Sequence, residues 1–208
     1  MSDQNHLQNL VELLRLAYSA ELAAAYAYRG HWHSVSDADE REQILKIENE
    51  EWHHRELVGQ MLKQLETNPS RIRELRATIV GRVLGALCHF TGWFAPMYGA
   101  GRLESRNIRE YETAARYARD AGHDEFVDCF LMMAEVEWQH ENYFRSRVLS
   151  HRLGKRLRIW PEPPPREMIR KSFAEYVLHA VPSRQNFPTL GDAVEVPHDA
   201  VVISQHAD

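Results

Sequence analysis

A chain of 208 residues with 44% hydrophobic content can bury one substantial core, and its size argues against two. Its 25 Lys and Arg against 30 Asp and Glu leave a formal charge of -5, so no global positive field favours nucleic acid as a partner. Two cysteines, Cys88 and Cys129, exclude a disulfide framework and fit a reducing compartment.

The opening MSDQNHLQNL lacks the basic-then-apolar pattern of a secretory leader, and the sequence holds no apolar run long enough to span a bilayer; a cytoplasmic location is expected. Helical periodicity predicts a first helix over about 6–33, with Leu10, Leu14, Ala17, Glu21, Ala24 and Tyr28 on one stripe. HSVSDADE reads as a turn, a cap and an acidic first turn. A second helix is expected over about 38–66. Its inward stripe is Ile44, Ile47, Glu51, His54, Val58 and Met61, whereas Glu50 and His53 share a solvated face with Gln43 and Lys46.

Residues 71–95 read as a further helix or two short ones, broken or kinked at Pro96. Within this region, 79–101 is apolar and aromatic but carries Arg82, His89 and five glycines. A third long helix is expected over about 97–121, stopping at Gly122, and a fourth from a cap at Asp124 to about 153. In the fourth, Phe126, Phe130, Met133, Glu137, His140 and Phe144 share one face. In the third, Glu104 lies with Ile108, Tyr111, Ala115 and Ala118. Its rival Glu110 lies with Leu103, Asn107, Ala114 and Tyr117, but also Arg106, so Glu104 is preferred.

Four long helices with a long crossover between two pairs make an all-α, ferritin-like four-helix bundle over 1–158. WPEPPPREM then excludes a helix interior, leaving 159–208 as an irregular, Pro-rich C-terminal extension with one short helix within REMIRKSFAEYVLHA. Pro182, Pro188 and Pro197 punctuate the remainder, where AVVIS is a single candidate strand.

The two phrases EWHH and EWQH each place a glutamate and a histidine three residues apart, facing inward. An unpaired charge there is costly. Glu21 and Glu104 supply one further carboxylate from each remaining helix, and Glu-x-x-His from two helices plus Glu from the other two is the bundle di-metal pattern. The candidate ligands are therefore Glu21, Glu51, His54, Glu104, Glu137 and His140, with Glu51 and Glu137 as bridges. Four carboxylates and two imidazoles suit two iron ions, or manganese, rather than thiolate zinc. His31, His33 and His89 lack such support and are expected at the surface or an interface. Tyr28, Tyr111 and Tyr143 are read as packing residues within reach of the site.

These residues resemble the ferritin-like di-iron superfamily, in particular its demethoxyubiquinone hydroxylase (ubiquinone-biosynthesis monooxygenase) branch. LRLAYSAELAAAYAYRGH, LKIENEEWHHRELVGQML and RVLGALCHFTGWFAPMYGAG are similar to that branch's first helix, second-helix ligand block and glycine-rich crossover. The penultimate helix, LESRNIREYETAARYARDAG, is more similar to rubrerythrins, although Asn107 replaces the second acid of their Glu-x-x-Glu. The resemblance implies an oxidoreductase: a dioxygen-dependent monooxygenase of an apolar or aromatic small molecule, with an external electron donor and a peripheral membrane contact through 79–101. An ordinary buried crossover reads equally well there. The alternatives are a peroxide reductase or ferroxidase at the same site, or a non-catalytic helical bundle that binds a protein partner. A homodimer fits a bundle with an appended arm.

Overall fold

The computed structural model describes residues 3–180, which form six α-helices and no strand. α1 (Asp3–Ser34) and α2 (Ala38–Gln64) form one hairpin, and α4 (Phe94–Asp120) and α5 (Asp124–Ser150) form the other. α3 (Arg71–Cys88) lies along the outside of α1 and carries the chain between them, and α6 (Glu167–Ala180) packs on α4 and α5. This is the ferritin-like bundle with a long crossover.

Local chemistry sets the helix ends. The Asp37 side chain accepts from the Glu40 amide at 2.9 Å and starts α2, and Ser70 caps α3 from the Arg73 amide. Two expected boundaries differ. α4 begins at Phe94 and runs through Pro96, because a proline in the first turn lacks only an amide that has no intrahelical acceptor. α5 is preceded by His123 rather than capped by Asp124, whose carboxylate instead meets Arg119 at 2.6 Å. Gly122, at φ 78°, makes the left-handed turn that ends the preceding helix.

The inward stripes fill two apolar layers. Leu10, Leu14, Val58, Met61, Phe126 and Phe130 belong to one, and Ile44, Ile47, Met97, Phe144, Val148 and Trp160 to the other. Between them, at matching heights on the four stripes, lies a band of buried carboxylates.

Three other buried glutamates lock the frame, each against an arginine and at least one indole. Glu48 accepts from Arg29 Nε at 2.8 Å, Trp32 Nε1 at 2.7 Å and Trp52 Nε1 at 3.2 Å. Glu40 accepts from Arg147 and from Trp93 Nε1 at 2.7 Å. Glu141 accepts from Arg145 Nε at 2.7 Å and Trp160 Nε1 at 2.6 Å. This last cluster pins the non-helical strap after α5, since Arg145 also reaches Pro161 O at 2.8 Å. The strap and α6 lie on the bundle. Pro182, Pro188, Pro197 and the AVVIS segment fall outside the described residues.

α3 approaches α1 through a seam of small residues. A Cβ on Gly30 would overlap the backbone of Gly85, and one on Gly81 would overlap Ala23. We expect Gly30→Ala to push α3 off α1 and destabilise the fold by about 1–3 kcal/mol, measured by urea denaturation.

Candidate metal centre

Helix periodicity brings the six expected side chains together. Glu21 comes from α1, Glu51 and His54 from α2, Glu104 from α4, and Glu137 and His140 from α5; all six are buried. They fall into two clusters. In Glu21, Glu51, His54 and Glu137, and again in Glu51, Glu104, Glu137 and His140, one ligand atom per residue lies within 4.8 Å of every other. Glu51 and Glu137 belong to both. Glu110 lies outside, holding Arg106 Nε at 2.6 Å.

The atoms converge on shared space rather than on one another. His54 Nδ1 lies 3.0 Å from Glu137 Oε1, and His140 Nδ1 lies 3.3 Å from Glu51 Oε1 and 3.7 Å from Glu137 Oε2. Yet Glu21 Oε2, both Glu51 oxygens, Glu137 Oε1 and both Nδ1 atoms lack a hydrogen-bond partner of proper geometry. Orphaned buried atoms of this kind are costly. Two hard-to-borderline cations with oxygen and imidazole ligands would satisfy all of them, so the donor set fits a di-iron centre.

Surrounding groups orient this set. Tyr28 donates to Glu104 Oε1, and Tyr111 donates to Glu21 Oε1. Each tyrosine stands two helical turns beyond the glutamate on its own helix and holds the glutamate of the other, so aromatic packing is only part of their role. Asn107 donates to Glu104 Oε2 at 3.0 Å and approaches Glu137 Oε2 at 3.5 Å. Glu50, expected on a solvated face, turns inward far enough to hold His140 Nε2 at 2.8 Å, while His53 is exposed. A carboxylate on the outer nitrogen fixes a ligating imidazole's orientation and raises its basicity. The signal for Glu50 was its position: it directly precedes an inward glutamate, on the edge of the stripe.

His31 also departs from expectation. It is buried, at 3% exposure, and stacks on Phe144 with ring centroids 6.0 Å apart. His33 and His89 are exposed as expected.

The electrostatics follow from confining four acids. Burial, then the charges of Glu137, Glu21 and Glu104, push the Glu51 carboxyl well up, and burial followed by Glu137 does the same to Glu104. Burial also raises Glu21. Burial opposes ionisation of Glu137 too, but the protons offered by Glu104, His140 and His54 outweigh it and hold this carboxyl well below the usual range. Against the effect of burial, Glu137 raises both imidazoles, with Glu50 and Glu51 adding to His140. Metal-free, the cluster neutralises itself by retaining protons, which cations would displace.

Among known families, residues 8–142 match the one described as Ubiquinone biosynthesis protein COQ7. The match runs from α1 into α5 and includes all six clustered residues. No curated protein and no solved structure matches the chain. Family and donor set together support di-iron oxidoreductase chemistry.

Glu51→Gln should stabilise the metal-free protein by roughly 1–2 kcal/mol, a thermal shift of a few degrees, while abolishing binding of the metal pair; calorimetry with and without ferrous iron checks both. Glu50→Ala should weaken the affinity of one of two metals about ten- to hundredfold in a competition titration, with His53→Ala unchanged.

Proposed function

The chain belongs to the COQ7 ubiquinone-biosynthesis family, and from that premise we propose that it is a dioxygen-dependent monooxygenase of an apolar aromatic molecule. The observation that carries this reading is an apolar groove beside the cluster. It occupies about 400 Å³ between α1, α3 and α4, and Tyr28, which donates to Glu104, lines it. The rest of its wall is mainly alanine, leucine, glycine and Pro96. A ferroxidase would instead need a carboxylate-lined path for ions; no acidic residue lines this groove, and the carboxylates Glu21 and Glu110 line a separate, narrower cleft beside Tyr111.

In this reading Glu21 and His54 would hold one iron and Glu104 and His140 the other, with Glu51 and Glu137 available to both. A reduced iron pair bound there would supply the electrons for activating dioxygen. Tyr28, Tyr111 and Asn107 keep the terminal carboxylates oriented, and Glu50 keeps His140 aimed inward. The apolar layers above and below exclude water from the cluster. The substrate's C–H becomes C–OH with one oxygen atom of dioxygen. The other atom leaves as water, with two electrons from an external donor and two protons. The sequence offers no nucleotide-binding glycine motif or cysteine cluster as an internal electron source.

The substrate's route is read from α3. Ile72, Leu75, Ile79, Val83 and Leu87 are exposed along one face of the helix, and Phe90, in the turn just after it, is 84% exposed. Leu84 and Leu87 also line the groove. An apolar face this continuous marks an interaction surface, and Arg71 and Arg76 of the same helix suit an anionic bilayer surface, whereas Arg73 is paired with Glu12 of α1. None of the described helices is long and apolar enough to cross a membrane. The chain would rest on the bilayer and receive its substrate through the groove.

Anaerobic loading with ferrous iron should give about two irons per chain by elemental analysis, with an absorbance change on admitting oxygen. Glu51→Ala/Glu137→Ala should lose both. Absence of stoichiometric iron in the unaltered protein would sink the reading. Co-sedimentation with anionic vesicles should fall about tenfold or more for Ile79→Asp/Val83→Asp, with iron content unchanged.

A further inference from the structure

The groove's polar groups can be counted one by one. Its lining contains no arginine, lysine, aspartate or glutamate. Cys88 Sγ donates to Leu84 O, and Thr91 Oγ1 donates to Leu87 O, so both are tied to α3's own backbone. The Tyr28 hydroxyl is committed to Glu104. That leaves His31. Its side chain is 97% buried by its 3% exposure, it lines the groove, and its Nε2 has no hydrogen-bond partner. Burial lowers its pKa to about 4, so the ring is neutral near pH 7 and offers one donor and one acceptor.

The ring is also rigidly placed. Tyr28, His31 and Phe144 form a wall of nearly parallel rings, with Tyr28 and His31 centroids 6.4 Å apart and Tyr28 and Phe144 5.7 Å apart. An unpaired buried imidazole costs stability, and one held in a fixed orientation beside an apolar groove is poised to recognise a ligand atom. The absence of charge along the wall disfavours an ionic ligand.

We propose that His31 is the specificity-determining hydrogen-bond partner of the molecule held in this groove, selecting neutral aromatic compounds with a hydroxyl or carbonyl oxygen over bare hydrocarbons of the same shape. The inference rests on reading the groove as the substrate's. Binding is therefore measured on the metal-free full-length protein, where failure of iron loading leaves it readable.

The probes are 2-naphthol and naphthalene, followed by fluorescence titration. Naphthalene is the more hydrophobic, so a plain apolar groove would favour it. The unaltered protein should instead bind 2-naphthol about tenfold more tightly. His31→Leu should reverse that preference while retaining wild-type iron stoichiometry and a thermal stability no lower than wild type. His31→Gln, which keeps a donor and an acceptor, should restore most of it. Ala27→Phe, which fills the groove without touching the hydrogen-bonding group, should weaken both probes about equally and tests the location should the leucine variant not fold. A wild-type preference for naphthalene would overturn the inference, as would an unchanged ratio in His31→Leu or undiminished binding in Ala27→Phe. A well-folded His31→Gln that behaves like His31→Leu would overturn it as well.

Discussion

Four carboxylates share one dry space with no arginine or lysine among them, and the rest of the molecule is arranged around that constraint. The contrast lies within the protein itself. Seven glutamates are buried among the described residues. Glu40, Glu48 and Glu141 are each met by an arginine and an indole, so their charges are compensated and their oxygens bonded. Glu21, Glu51, Glu104 and Glu137 have two imidazoles, two phenols and an amide, which cannot neutralise four charges. A buried acid without a counter-ion either keeps its proton or binds a metal. The arginine-clamped acids hold helices and strap together, which lets the uncompensated four be kept at close quarters.

The arrangement is a doubled one. Each hairpin contributes a glutamate, a tyrosine two turns later, and a Glu-x-x-His on the next helix. Glu21, Tyr28, Glu51 and His54 correspond to Glu104, Tyr111, Glu137 and His140. The crossed Tyr–Glu hydrogen bonds follow from that pairing, since each tyrosine faces the other hairpin's acid. The halves are not equal, however. Glu50 braces His140, whereas Val136 holds the corresponding place before Glu137; Asn107 reaches Glu104, whereas Ala24 stands at that offset from Glu21. The position built on Glu104 and His140 is thus the better braced, and it is also the one that Tyr28 connects to the groove.

What was legible in the sequence was whatever depends on period. Glu51 and His54 fall on a stripe with Ile44, Ile47, Val58 and Met61, and burial follows from helix geometry alone. The same holds for Glu104 against Glu110, decided by which acid shares a face with an arginine. Glu50 escaped because a residue at a stripe's edge can turn either way, and only the packed partner decides. His31 escaped for a different reason. It stands three residues after Tyr28 on the inward stripe and stacks on Phe144 of α5, but a lone histidine near a helix end reads as a surface residue by its polarity. Pro96 was misjudged because a proline ends a helix interior but is tolerated in a first turn, and the two look alike until the start is fixed. The residues after Ala180 carry no such period to read.

The crossover helix ties these threads together. α3 cannot enter the core, whose four stripes already complete it, so it lies outside on α1 through glycines that bring the backbones close. That contact uses only one narrow face of α3. Its opposite face stays apolar and uncovered, and the edge toward α4 leaves a groove rather than a packed seam. A larger residue at Gly30 or Gly85 would lift α3 away and open the His31 wall to water. The imidazole would then be solvated, and any hydrogen bond it offers a ligand would compete with solvent. Close packing at the glycine seam therefore does more than stabilise the crossover. It keeps one unpaired nitrogen dry beside an otherwise greasy channel, at one remove, through Tyr28, from the carboxylates.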